Sequence, residues 1–325
     1  MDQQLINTLS SIVANATPLV IAAIGETLTE RVGVTNLSLN GSLVFSAMIG
    51  FVAAYTSGSV FIGIGAAMLA SVIFAMIIAV ADIELKQDQV AIGFVLTLLG
   101  ADLAQFLGVS YSRIPGPQIL STPIPILSSI PAIGEIFFNQ SILVYISYFL
   151  VFGSWYWMFR TRRGLALRAV GERPEAAFAR GTNVNRLRYF YTALGGALVG
   201  LAGASYSLSV KAGWSTPPNM DGDGWIALAI VIFGGWHPFR VVLGAYLFAG
   251  LRSLSSVIQR TPGVSVNVVL LNGVPWALMI ITLLLVSSGA IERLLTVLPR
   301  PVQKWTRNFL RSDPPAAIGT RFEQD

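Results

Sequence analysis

The sequence predicts an all-α polytopic membrane protein with about nine transmembrane helices, eight to ten being compatible with it. Three observations carry that prediction. First, the 325-residue chain is 54% hydrophobic with a mean hydropathy of +0.68 and is only 11% charged, where a soluble domain carries about 25%. Second, apolar runs of the roughly 20 residues that a bilayer requires recur along its length. Third, the basic residues collect in loops between those runs. Eight arginines and only two acids (Glu172, Glu175) lie from Arg160 to Arg188, out of 21 Lys and Arg in all.

In order, the runs are 8–29, 39–57, 59–81, 89–109, 140–159, 188–209, 222–236, 239–258 and 266–288. The seventh is short and reads either as a span or as a half-helix. Basic residues orient them, since cytoplasmic loops carry the excess of Lys and Arg. The 160–188 loop is expected inside, and so is the tail with Arg293, Arg300, Lys304, Arg307, Arg311 and Arg321. Counting back puts the N-terminus and the 111–139 loop outside. That loop, with prolines 115, 117, 123, 125 and 131, reads as extended and proline-stiffened. The chain divides into a transmembrane domain (1–290, with the 160–188 loop) and a cytoplasmic tail (291–325), whose end after Ser312 reads as disordered. Met1-Asp2 with no basic n-region argues against a cleaved signal peptide.

Several function classes are excluded. The net charge of +5 sits beside spans, so membrane lipid explains it and nucleic acid does not. The three lysines (Lys86, Lys211, Lys304) follow Leu, Val and Gln, so there is no Gly-Lys phosphate loop. With no cysteine and His237 as the only histidine, a zinc site lacks ligands. His237 reads as a turn residue before Pro238. No catalytic or metal residue is assigned, and the chain is not expected to be an enzyme. Gly195, Gly196, Gly200 and Gly203 read as a tight helix-packing stripe, with a glycine-lined pathway as the alternative.

Inside the basic loop, Glu172-Arg173-Pro174-Glu175-Ala176-Ala177-Phe178-Ala179-Arg180-Gly181 spells a short capped helix. Pro174 suits the first helical position, Glu175 the positive end, Arg180 the negative end and Gly181 the stop. A helix this short is unstable alone and must lie against something, either lipid headgroups or a partner.

Glu175-Ala176-Ala177 followed by Gly181 resembles the coupling loop of ABC importer permeases. The stretch Leu165–Gly203 is similar to permeases of the branched-chain amino acid and ribose class. Two further blocks, Glu30–Gly41 (ERVGVTNLSLNG) and Gly224–Pro238 (GWIALAIVIFGGWHP), resemble the branch that serves basic-membrane-lipoprotein-type binding proteins, whose cargoes are mostly nucleosides. The blocks run from about residue 17 to 258. One departure is Asn40, where that branch usually has Glu.

The resemblance implies an ABC importer permease fold with a cytoplasmic coupling helix, acting in a bacterial inner membrane. It implies three partners: an ABC ATPase subunit, a second permease subunit (a different paralogue) and an extracytoplasmic substrate-binding protein. It implies no cofactor in this chain, with ATP and Mg on the ATPase. The coupling residues would be Glu172, Pro174, Glu175, Ala176, Ala177, Arg180 and Gly181.

Pathway candidates are polar or stacking groups near the spans, because such groups in lipid are costly and face a cavity or partner. They are Asn36, Asn40, Gln89, Trp225 and Asn272. Amides and aromatics suit a neutral ring-containing cargo, a nucleoside first and a sugar or vitamin second. An ion-coupled secondary transporter is the rival from another class, but it wants mid-membrane carboxylates. Here the acids fall at span ends, Asp102 excepted, and Arg252 is close enough to a boundary to snorkel.

Overall fold

The computed structural model describes residues 3–260 and 314–323, together with a few isolated positions between 273 and 284. Its helices are α1 (Gln3–Arg31), α2 (Leu39–Ser57), α3 (Val60–Ile83), α4 (Gln89–Gly108), α5 (Ile142–Arg160), α6 (Arg162–Glu172), α7 (Pro174–Ala179), α8 (Val184–Ser205), α9 (Asp223–Gly234) and α10 (Pro238–Arg260). Seven of the described helices are long and apolar enough to cross a membrane. Apart from those isolated positions, the sequence-predicted span 266–288 lies outside the described residues.

α9 is the seventh predicted run, and it is a half-helix. Its 12 residues reach about 18 Å, well short of a core about 30 Å thick. It begins beside Asn40, in the first turn of α2, and closes on left-handed Gly235 next to Arg31 at the end of α1. The chain covers the remaining depth as a non-helical leg through 211–222, in which Trp214 and Met220 are buried.

α8 sits at the centre, packed on α1, α2 and α3. Its small residues permit this. A Cβ added at Gly196 would lie 2.6 Å from Ala75 Cβ, and one added at Gly25 of α1 would lie 2.8 Å from the Gly195 carbonyl. The stripe is therefore a packing device, as the spacing suggests. At Gly200 a Cβ would strike the Ala67 carbonyl and Met68 Cα, backbone atoms that cannot rotate away. We expect Gly200→Leu to destabilise the extracted protein by about 3 kcal/mol, read as thermal unfolding. Gly65→Leu, where the space is open, should be neutral; equal effects would refute the stripe's role.

The 111–139 loop is largely irregular, tied down by Thr122 N–H donating to the Gln140 carbonyl (2.9 Å) and Ile124 N–H to that of Phe138 (3.0 Å). The described part of the tail corrects the sequence reading. Residues 314–323 are not a disordered end: Pro315, Ala317 and Phe322 are buried against the same end of the bundle as α6 and α7. Paired apolar and backbone contacts, not legible from a short stretch that opens on two prolines, hold them there.

Candidate functional site

Polar chemistry gathers at the two ends of the bundle. At the end where α1 starts, Gln3, Asn7, Ser11 and Asn15 recur every fourth residue and so share a helix face, with Gln4 and Thr8 beside them. That face looks into a cleft of about 860 Å³. Among the described residues, its other walls are Tyr206 and Lys211 after α8, Asn219 and Met220 of the leg, and Ala249, Arg252, Ser253 and Ser256 of α10. Amides this dense on a membrane helix are tolerated where they line water or a partner.

Beside this cleft lies a closed ion pair. Asp223, fully buried at the start of α9, accepts a hydrogen bond from Arg252 Nη1 at 2.9 Å and is paired with Nη2. The Tyr206 hydroxyl donates to the same carboxylate. The snorkelling reading of Arg252 is thus overturned: the guanidinium turns to a carboxylate 29 residues away. Next to it, Asn40 Oδ1 accepts from the amides of Gly222 (2.9 Å) and Gly224 (3.2 Å), while its Nδ2 donates to Asp221 Oδ1 (2.9 Å). Asn40 thereby satisfies free N–H groups at the start of α9.

The Asn40–Asp221 contact also gives a physical reason for the departure at position 40. A glutamate could accept from the amides but would face the Asp221 carboxylate. Asn40→Glu should therefore cost about 1–3 kcal/mol, read as thermal unfolding, and adding Asp221→Asn should restore most of it. Failure of that rescue would break the argument.

At the other end, α7 buries Pro174 and Ala177 and exposes Glu175, Ala176, Ala179 and Arg180. Its stop is a left-handed glycine cap. Thr182 N–H donates to the Ala177 carbonyl (3.0 Å) and Gly181 N–H to that of Phe178 (2.8 Å), with Gly181 at φ +83°. Glu172, at the end of α6, lies 3.9 Å from Arg31 of α1. Arg31 in turn donates to the carbonyls of Trp236 and Gly235, each at 3.2 Å. Glu30 accepts from the Trp236 indole. Arg31 therefore links the coupling-type arm, through an ion pair, to the C-terminal end of α9, through hydrogen bonds. His237, beside it, stacks against Phe159 and Phe239. Burial, and then Arg240 and Arg31, push its pKa down to about 4, so it is neutral at pH 7.

The sequence-named pathway candidates have separate placements. Asn36 turns its Oδ1 to the Ser38 amide (3.2 Å) and hydroxyl (2.6 Å), stabilising the α1–α2 turn. Gln89 accepts from the Thr35 amide at 2.7 Å. Trp225 leans on Phe94 of α4, ring centroids 6.1 Å apart. None of these three, nor Asn40, is among the described lining of the cleft, and Asn272 lies outside the described residues. The α1 stripe was missed by reading the first run as starting at residue 8. A four-residue polar period within an apolar helix was the available signal.

Residues 8–288 match the branched-chain amino acid transport system / permease component family. The chain belongs to that family. Among curated relatives, this permease is 37% identical over 250 residues to the provisionally named glucose ABC transporter permease protein TsgC13 of Haloferax volcanii, covering 76% of each chain. It is 35% identical over 302 residues to the nucleoside ABC transporter permease protein NupC of Lactococcus lactis, covering 88% of this permease and 95% of NupC. It is 34% identical over 256 residues to the guanosine ABC transporter permease protein NupQ of Bacillus subtilis, covering 75% and 79%. No solved structure matches the chain. The permease is a multi-pass membrane protein of the transport-subunit kind.

Proposed function

We propose that this permease is the membrane subunit of an ATP-driven importer that moves a small neutral solute, a nucleoside before others, by alternating access. The cleft carries the reading. It offers amide and hydroxyl groups along α1; of the two cations in its described lining, Arg252 is neutralised by Asp223 and Lys211 is exposed to solvent. Such a surface suits hydrogen bonding to hydroxyls and ring heteroatoms more than pairing with an anionic group. The names of NupC and NupQ support the same cargo; the name of TsgC13 supports glucose as the second reading, and a hydroxyl-rich sugar fits the same groups.

In this reading the cleft faces outside, where a substrate-binding protein delivers cargo. The end with α6 and α7 faces the cytoplasm, where an ATPase subunit holding ATP and Mg docks on Glu172, Pro174, Glu175, Ala176, Ala177, Arg180 and Gly181. A second, different permease completes the pathway in the inner membrane. The natural chain has no cysteine, so single cysteines at Ser129 and Thr182 test the orientation. The first should react with an impermeant reagent from outside and the second only from within.

The decisive experiment reconstitutes this permease with its partner permease, ATPase and binding protein in vesicles. Uptake and ATP hydrolysis are then followed with nucleosides, glucose and branched-chain amino acids. Stimulation by nucleosides supports the proposal. Stimulation by glucose alone selects the sugar reading, and by branched-chain amino acids alone overturns both.

A further inference from the structure

The segment 314–323 occupies a position that the transport reading leaves unexplained. It touches five parts of the bundle at once. Ala317 N–H donates to the Gly171 carbonyl (2.8 Å) at the end of α6, and Gly319 N–H donates to the Gly33 carbonyl (3.0 Å) in the α1–α2 turn. Lys86 Nζ, between α3 and α4, donates to the Phe322 carbonyl at 2.6 Å. Arg188 Nη2 of α8 donates to the Thr320 carbonyl at 3.1 Å. Phe322 is buried, and its ring meets the edge of Phe178 on α7, centroids 5.7 Å apart.

Two features show that the fold is shaped for this segment. Gly33 lies at φ +95°, and a Cβ there would come within 3.0 Å of the Ala317 carbonyl. Arg188 is 1% exposed and pairs with the equally buried Asp82 at 3.4 Å. A buried arginine needs more acceptors than one carboxylate oxygen supplies, and the Thr320 carbonyl is one of them. The segment nevertheless leaves Glu175, Ala176, Ala179 and Arg180 exposed, so it flanks the outer face of α7 without covering it.

We propose that residues 314–323 are a clamp that fixes the α6–α7 arm to the α1–α2 turn and to α8, so that force applied at α7 reaches the bundle. The proposal rests on the reading of α7 as the ATPase-coupling helix. The arm rests on the bundle through Leu167, Val170 and Ala177 and through a Glu172–Arg31 contact at 3.9 Å, but the six-residue α7 at its tip has little else to resist load. The clamp converts that arm into a part of the body, through backbone bonds to two glycines and one aromatic contact. A brake that blocks ATPase docking would instead have to cover the exposed face.

The test uses the reconstituted four-component importer and reads solute moved per ATP hydrolysed, with membrane abundance and thermal unfolding of each variant as controls. A chain ending at Asp313 and the milder Phe322→Ala should each lower that ratio at least five-fold while abundance stays unchanged. Cysteines at Phe178 and Phe322, joined by a short bis-maleimide, should keep the full ratio. Unchanged coupling in both variants overturns the clamp, as does a rise in hydrolysis and uptake together, which marks a brake. Loss of uptake on joining 178 to 322 overturns it as well. Gly181→Val, run in parallel, separates the two ideas. If it is impaired while the tail variants are not, only the clamp fails. If it transports normally, the coupling reading fails and the clamp with it.

Discussion

Arg252→Met should destabilise the protein by about 3 kcal/mol, the low end of the cost of breaking a buried ion pair. Asp223 is fully buried while Arg252 keeps 39% of its side chain exposed, so the loss falls almost wholly on the carboxylate. Without the guanidinium, the Tyr206 hydroxyl is the one side-chain donor left to Asp223 among the described residues, and the start of α9 carries an uncompensated charge inside the bundle. Replacing the carboxylate as well should reverse the effect. Asp223→Asn with Arg252→Met removes both charges, and an unfolding midpoint close to the parent's is expected. If the single variant unfolds with the parent, or the double variant is no better than the single, the pair is not what stabilises this end of α9.

Gly181→Val should abolish coupled uptake, at least ten-fold down, with the protein still abundant in the membrane. At φ +83° a β-branched residue is strained by about 1–2 kcal/mol. Among the described residues, chain neighbours aside, no atom lies within 4 Å of the added Cβ, so the strain is local and the bundle is spared. What it undoes is the cap formed by the Thr182 and Gly181 amides, and six residues cannot remain helical in water without one. Gly181→Asn should fall between parent and valine, because asparagine enters the left-handed region more readily. Normal transport by the valine variant would remove α7 from the coupling step.

These two variants also mark where the sequence was legible. Pro174, Arg180 and Gly181 announce a helix start and stop through local backbone chemistry, and the structure forms that helix where the residues place it. The Gly195–Gly203 stripe announces close packing through spacing alone. Partners distant in sequence were not legible. Nothing in residue 252 points to residue 223, and an arginine near a span end looks the same whether it snorkels or pairs. Amides were ambiguous for a related reason: Asn36, Asn40 and Gln89 have the chemistry to line a route, and the same chemistry satisfies backbone N–H groups in tight turns. Pro315, Ala317 and Phe322 sit in a stretch whose composition suits disorder, and only their three-dimensional neighbours show otherwise.

α1 reaches both functional ends, and it is weakened between them. Pro18, midway along its 29 residues, has no N–H to offer the Ala14 carbonyl. One position earlier, the Thr17 hydroxyl donates to the Val13 carbonyl at 3.0 Å, a contact that bends helices. The polar stripe lies on one side of this turn and the Glu26, Glu30 and Arg31 cluster on the other, along a helix about 44 Å long. α1 thus has a local weak point in its backbone ladder, set between its polar stripe and its charged cluster. In the proposed reading, that weak point separates the end of α1 that meets the cargo from the end that meets the ATPase.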